Sequence, residues 1–255
     1  MMHSLDQEVI AGTIPDEISL LGALENLIMT NNHFLTGTLP DAIKKNSALR
    51  QISFHNNSLT GTLPDGIYKL PLLTYLNLSD NYLSGSLTKD LGQLTNLEKL
   101  ILDNNDFTGH LLPLPLRRTQ INILSLSSNR FGSNLVPAIR FLKKLEYLYL
   151  DDNEFKGSLS KLPSKLRSLS LSRNQFTGTL PIELGELSEL RYLNMANNTF
   201  MGPLNEHMVG NLTKLEILSL EQNDFTGAIP SSLGDLSVLG ELNYTWIKNG
   251  FDIGR

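Results

Sequence analysis

The sequence predicts a repeat solenoid, and three observations predict it. A nine-residue apolar template recurs nine times, an asparagine closes each copy, and a large apolar side chain stands two residues past that asparagine. The first three copies read Leu24-x-x-Leu27-x-Met29-x-x-Asn32, Leu49-x-x-Ile52-x-Phe54-x-x-Asn57 and Leu73-x-x-Leu76-x-Leu78-x-x-Asn81. The pattern continues from Leu97 to Asn105, Ile121 to Asn129, Leu145 to Asn153, Leu166 to Asn174, Leu190 to Asn198 and Leu215 to Asn223. Successive asparagines are 25, 24, 24, 24, 24, 21, 24 and 25 residues apart, a period proper to stacked supersecondary units.

Each position of the template has a physical role. Leu-x-Leu alternation is the signature of a short strand with one apolar face turned inward. The asparagine is read as a buried polar group whose amide, with two donors and an acceptor, bonds backbone groups of its own and the adjacent coil. Asn32, Asn57, Asn81, Asn105, Asn129, Asn153, Asn174, Asn198 and Asn223 then form a ladder. The apolar residue beyond it is Phe34, Leu59, Leu83, Phe107, Phe131, Phe155, Phe176, Phe200 or Phe225, predicted to align as one internal column. The extra residue Leu35 is expected to bulge outward. Thr or Ser followed by Gly comes next, as in Thr60-Gly61 and Thr177-Gly178, the glycine allowing a tight bend at positive φ. An apolar residue and often Pro follow, as in Leu39-Pro40 and Leu180-Pro181, and lead into one short helical or 3₁₀ turn.

The composite pattern resembles the plant-type leucine-rich repeat, over about residues 4–246. That resemblance implies a right-handed α/β solenoid with a parallel concave β-sheet and short convex strands or 3₁₀ turns. Its relatives include receptor-like kinase and receptor-like protein ectodomains and polygalacturonase-inhibiting proteins. Residues 1–255 are expected to form a single repeat domain of about nine full repeats, with partial repeats at 1–21 and 239–255. In the first, Leu5 and Glu8 fill the template; in the last, Ile247 stands where the asparagine belongs. Cysteine-paired caps, usual in such relatives, are not possible without cysteine, and Trp246, Ile247 and Phe251 are expected to fold over the last coil instead. Uncapped ends would favour end-to-end association. Irregular convex structure is expected over 109–165, where three repeats lose the second half of the motif.

Composition narrows the function. The chain carries 21 Lys and Arg against 26 Asp and Glu, and this acidic balance argues against a nucleic-acid partner. No apolar run approaches the roughly 20 residues of a membrane span, and the first residues do not read as a signal peptide. Phosphate loops, zinc-helix motifs and nucleophile elbows are missing from the text, and the five histidines fall at unrelated phases of the repeat. No enzyme activity, metal or cofactor is therefore expected. Asp103-Asn104-Asn105-Asp106 and Asp151-Asp152-Asn153 look like calcium text, but their asparagines are committed to the ladder.

The resemblance places the residues flanking each inward leucine on the concave sheet. There Tyr75, Tyr147, Tyr149 and Tyr192 offer amphipathic anchors, and Asp80, Asp103, Asp151, Asp152 and Glu221 offer negative charge. Together they suit a protein or peptide ligand with basic groups and some apolar surface. N-glycosylation sequons begin at Asn56, Asn77, Asn197, Asn211 and Asn243, about as many as chance supplies. The reading is a non-catalytic recognition module of receptor-ectodomain or inhibitor type, extracellular or at the cell surface by resemblance. The alternatives are an intracellular (cytoplasmic) scaffold and a fragment of a larger receptor kinase whose catalytic domain lies outside this chain.

Overall fold

The computed structural model describes residues 10–111, 113–132, 134–135 and 139–244. The chain divides into two compact units, Met1–Phe131 and Gly132–Arg255. The partial-repeat positions Leu5 and Glu8 and the capping residues Trp246, Ile247 and Phe251 lie outside the described residues.

In the first unit, the Leu-x-Leu segments form five three-residue strands: Asn26–Ile28, Gln51–Ser53, Tyr75–Asn77, Lys99–Ile101 and Ile123–Ser125. They pair in parallel, and the register sets Leu27, Ile52, Leu76, Leu100 and Leu124 side by side, all buried. A second parallel sheet runs through Gly12–Thr13, Asn32–Gly37, Asn57–Gly61, Tyr82–Ser86, Asp106–Gly109 and Arg130–Phe131. The return segments form 3₁₀ turns at Asp16–Leu20, Asp41–Lys45, Ile67–Lys69 and Lys89–Gln93, then a four-residue α-turn, Pro113–Leu116. Pro15 and Pro40 start two of the 3₁₀ turns from an extended backbone, where a missing N–H is harmless. Where Thr88 stands instead, its hydroxyl accepts the Asp90 N–H.

The second unit repeats the plan with strands Tyr147–Tyr149, Ser168–Ser170, Tyr192–Asn194, Ile217–Ser219 and Glu241–Asn243, again parallel. Its second sheet comprises Lys156–Gly157, Gln175–Gly178, Thr199–Pro203 and Asp224–Thr226. Its return turns are Ile182–Glu186, Glu206–Gly210 and Ser231–Asp235. The return segment of the 21-residue repeat, 158–165, contains no helical turn.

Two longitudinal arrays hold the coils together. Asn105 shows the first: its Nδ2 donates to the carbonyls of Leu102 (3.1 Å), Asp103 (3.0 Å) and, one coil back, Leu78 (2.9 Å). Its Oδ1 accepts the N–H of Leu83, at 2.9 Å. Asn81, Asn129, Asn198 and Asn223 make the same set. Backbone groups that no sheet reaches are thereby satisfied inside the coil. Asn174 makes it too but is only half-buried. The second array is the ring column. Phe107 and Phe131 stack at 6.2 Å in the first unit, and Phe155, Phe176, Phe200 and Phe225 at 6.5, 5.9 and 6.3 Å in the second.

One expected member of the column is misplaced. Phe34 is 62% exposed, whereas Leu35 is 2% exposed and takes the internal place. Counting forward from Asn32 selects Phe34, but the strand is phased from its other end. Leu35-Thr36-Gly37 is the counterpart of Leu59-Thr60-Gly61, and Gly37 pairs with Leu59 as Gly61 pairs with Leu83. The register shift falls between Asn32 and Thr36, so the surplus residue lies at His33–Phe34 and is turned to solvent.

Two further regularities set the backbone. The residue before each ladder asparagine adopts φ between 51° and 59°, from Asn31 and Asn56 through Asp80 and Asp152 to Arg173 and Gln222. The glycines of the second sheet also have positive φ, and from Gly37 onward their bare faces receive the previous coil's side chain. A Cβ on Gly61 would lie 2.8 Å from the Thr38 γ-methyl, and one on Gly85 would lie 2.7 Å from that of Thr62.

Candidate functional site

The outward face of the first sheet carries the sequence-predicted ligand residues. In the first unit it is a connected polar network. Tyr75 Oη accepts from Asn77 Nδ2 (3.1 Å), and Asn77 Oδ1 accepts from both the N–H and the hydroxyl of Ser79 (3.0 and 2.8 Å). His55 Nδ1 lies 2.9 Å from Ser79 Oγ and 3.1 Å from Asp80 Oδ2. Asp80 Oδ1 accepts from Asn104 Nδ2 at 2.9 Å. Serine, histidine and aspartate thus meet, but at one ring nitrogen. A catalytic imidazole needs the serine on one nitrogen and the carboxylate on the other, so this is a hydrogen-bonded brace. Among the described residues no three His, Asp or Glu side chains are grouped to hold a metal ion. Beside the network, Gln51, Thr74, Tyr75, Glu98 and Lys99 line a shallow cleft of ≈ 290 Å³.

Four of the five acidic residues, Asp80, Asp103, Asp151 and Asp152, are engaged within the chain. Asp103 Oδ1 accepts the hydroxyl of Ser125 (2.8 Å) and the N–H of Ser127 (2.6 Å). Burial pushes its carboxyl above the ordinary value, against the lowering effect of those two bonds. Asp151 Oδ1 accepts the Ser170 hydroxyl (2.6 Å) and both the N–H (2.8 Å) and hydroxyl (2.6 Å) of Ser172. Asp80 and Asp152 stand at the positive-φ corner, which asparagine and aspartate tolerate best. Asp152 also faces Arg173 at 3.4 Å. Glu221 is half-buried, and its Oε2 is buried without a hydrogen-bond partner.

In the second unit the face is aromatic. Register places Tyr147, Ser168 and Tyr192 in one row, and Tyr149, Ser170 and Asn194 in the next. Neighbouring strands are about 4.8 Å apart, so Tyr147 and Tyr192 stand about 9.6 Å apart across the serine. Ser168 and Ser170 point outward, yet they are only 6% and 2% exposed. Ser168 lies between Tyr147 and Tyr192, and Ser170 between Tyr149 and Asn194, so the half-buried rings with polar tips stand above a floor of small side chains. Tyr192 Oη accepts from Asn194 Nδ2 at 3.3 Å.

The sequon asparagines differ in access. Asn197 and Asn211 are exposed. Asn56 and Asn77 are half-buried and donate to Asn31 Oδ1 and Tyr75 Oη. Asn243 donates to Ser219 Oγ and Glu241 Oε1, and Thr245 of its sequon lies outside the described residues.

Sequence reasoning missed two polar features. The corner before the ladder was readable, since most of its occupants are Asn or Asp. Asn46 was not: it is fully buried where the other 3₁₀ return turns close on leucine, and its Nδ2 donates to the carbonyls of Ile18 and Leu21 one coil back.

The family model for the leucine rich repeat matches residues 22–83, and a second one matches 165–187 and 214–236. The chain is a leucine-rich-repeat solenoid. Its architecture is similar to a plant peptide hormone receptor, RGFR1, solved in complex with RGF2, at 35% identity and a TM-score of 0.88. That match covers 93% of this chain and 38% of the receptor chain. It is also similar to the ectodomain of the Arabidopsis receptor kinase HAESA, solved with an extended IDA peptide hormone. There the identity is 31% and the TM-score 0.84, covering 91% of this chain and 39% of that one. A plant ice-binding protein, at 23% identity, TM-score 0.75 and coverage of 92% and 78%, shares the fold. This leucine-rich-repeat chain therefore spans under two fifths of those two receptor chains. A search of curated proteins gave no match.

Proposed function

We propose that the chain is a non-catalytic recognition module that binds a peptide or protein segment along the outward rows of its first sheet. The observation that carries this is the cluster of half-buried, outward-facing phenol rings, Tyr147, Tyr149 and Tyr192, on adjacent rows of one sheet face. An extended segment crossing those strands would pack its side chains against the rings and meet the phenol hydroxyls. The peptide complexes of the receptors named above support the same class of ligand and an extracellular setting. Asp103 and Asp151 serve this face by fixing the serines of the next strand, while Asp80, Asp152 and Glu221 supply its negative charge.

The test uses peptides selected on the purified chain from a random display library. Alanine at both Tyr147 and Tyr149 is expected to weaken the selected peptides by at least about tenfold, since interface aromatics carry a large share of binding energy. The thermal midpoint should stay near wild type, because both rings lie outside the coil. Undiminished affinity would remove this face from consideration. Imaging of a tagged full-length gene product checks the extracellular assignment.

A further inference from the structure

The back of the second unit holds a site of different chemistry. The 21-residue repeat lacks a return turn like Ile182–Glu186 of the next repeat, and a cleft of ≈ 630 Å³ opens there. Arg140, Lys143 and Lys161 stand on its rim, Leu162 and Pro163 form its floor, and Phe141 lines one wall. The Arg140 guanidinium lies 4.6 Å over the Phe141 ring. No acidic side chain lines the cleft.

The surrounding charge is selective. Among the described residues of the second unit, Arg167, Arg173, Arg191 and Lys214 each have a carboxylate partner. The six cations without one, Arg140, Lys143, Lys144, Lys156, Lys161 and Lys165, all fall between 140 and 165. The chain as a whole has a net charge of −5, whereas Arg140, Lys143 and Lys161 bring three cations and no carboxylate to the described lining of this cleft.

We propose that this cleft binds an acidic protein segment carrying an apolar side chain. The cations would meet the carboxylates, and the Phe141, Leu162 and Pro163 surface would take the apolar group. A sulfated polysaccharide or a nucleic-acid duplex would meet the cations through its charged groups and leave Leu162 and Pro163 without an apolar partner. The volume lies within the roughly 300–1,000 Å³ of pockets that enclose a compact group. The site is independent of the tyrosine face.

The experiment measures anisotropy of a labelled synthetic peptide alternating Glu and Phe. Comparison probes are the same peptide with Gln for Glu, poly-glutamate, and a heparin fragment. The acidic peptide is expected to bind, and the Gln version, along with poly-glutamate, at least about tenfold more weakly. Lys143→Glu with Lys161→Glu should lower affinity by a similar factor while circular dichroism stays unchanged, since both side chains are exposed. Phe141→Ala should weaken the Glu–Phe peptide and leave any residual poly-glutamate binding alone. Tyr147→Ala with Tyr149→Ala should change nothing here, which separates this site from the peptide-binding face. Binding that survives the charge reversal overturns the proposal. So does poly-glutamate or heparin binding as tightly as the acidic peptide, because charge alone would then account for the patch.

Discussion

The two compact units build the same coil with different tolerance at the back. In the first unit the first four return segments form 3₁₀ turns, and the second sheet runs through six strands. Among the described residues of the second unit, one repeat has lost its return turn and the second sheet has four strands. The first sheet has five strands of three residues in both units. The asparagine bonds also persist on both sides of the shortened repeat. A strand residue is tied at once to the sheet, the ladder and the ring column, so moving it breaks contacts in two neighbouring coils. A return turn packs chiefly on adjacent turns, and its loss is absorbed locally.

That contrast can be broken or sharpened by substitution. The largest expected effect is at the ladder. Asn105→Ala strands one N–H and several carbonyls in a dry interior and should destabilise by about 4 kcal/mol, measured by urea titration. Asn174→Ala makes the same deletion where water can enter and should cost about half as much. Equal losses would show that burial does not set the difference. Next is the phase of the Asn32–Gly37 strand. Leu35→Ala should destabilise by about 3 kcal/mol and Phe34→Ala by no more than about 0.5 kcal/mol; the reverse order would restore the count from the asparagine.

Smaller effects concern the positive-φ corner. Arg173 has φ 51° and an exposed contact with Asp152 that contributes little. Arg173→Asn should raise the thermal midpoint, by about 1 kcal/mol in stability, because asparagine accepts that conformation more readily. The smallest effect is pH-dependent. Burial holds the Asp103 carboxyl above its ordinary value, so the folded chain binds that proton more tightly than the unfolded one. Folding is favoured below the ordinary carboxylate value and loses that contribution as pH rises through the raised one. Asp103→Asn should therefore gain on wild type as pH rises through that window, by less than about 1 kcal/mol. A gap constant with pH would rule out this titration.

Much of the coil was legible because its signals are periodic. The Leu-x-Leu strand, the ladder amide and the glycine bend each depend on residue type at a fixed spacing. The phase of Phe34 and Leu35 was not legible from one end: an inserted residue leaves two ways to count, and only pairing with the next coil chooses between them. The ligand face was half legible. Sequence placed Tyr147, Tyr149 and Tyr192 on outward rows, but how deeply the rings sit depends on neighbouring coils in three dimensions. The engagement of Asp103 and Asp151 depends on serines of the following repeat, invisible within a single template. The basic cleft was hidden for a further reason, since a deletion reads as irregularity and does not announce the space it opens.

The threonine methyls seated on the next coil's glycines join positions nearly one period apart. Gly61 cannot gain a side chain unless Thr38 yields, and the same holds for Gly85 and Thr62. Duplicating an entire coil carries both halves of such a pair along, whereas changing one glycine meets its neighbour's methyl at once. Growth by whole-unit copying is thus sterically easier for this chain than drift at those single sites, and its length is freer to evolve than its bend.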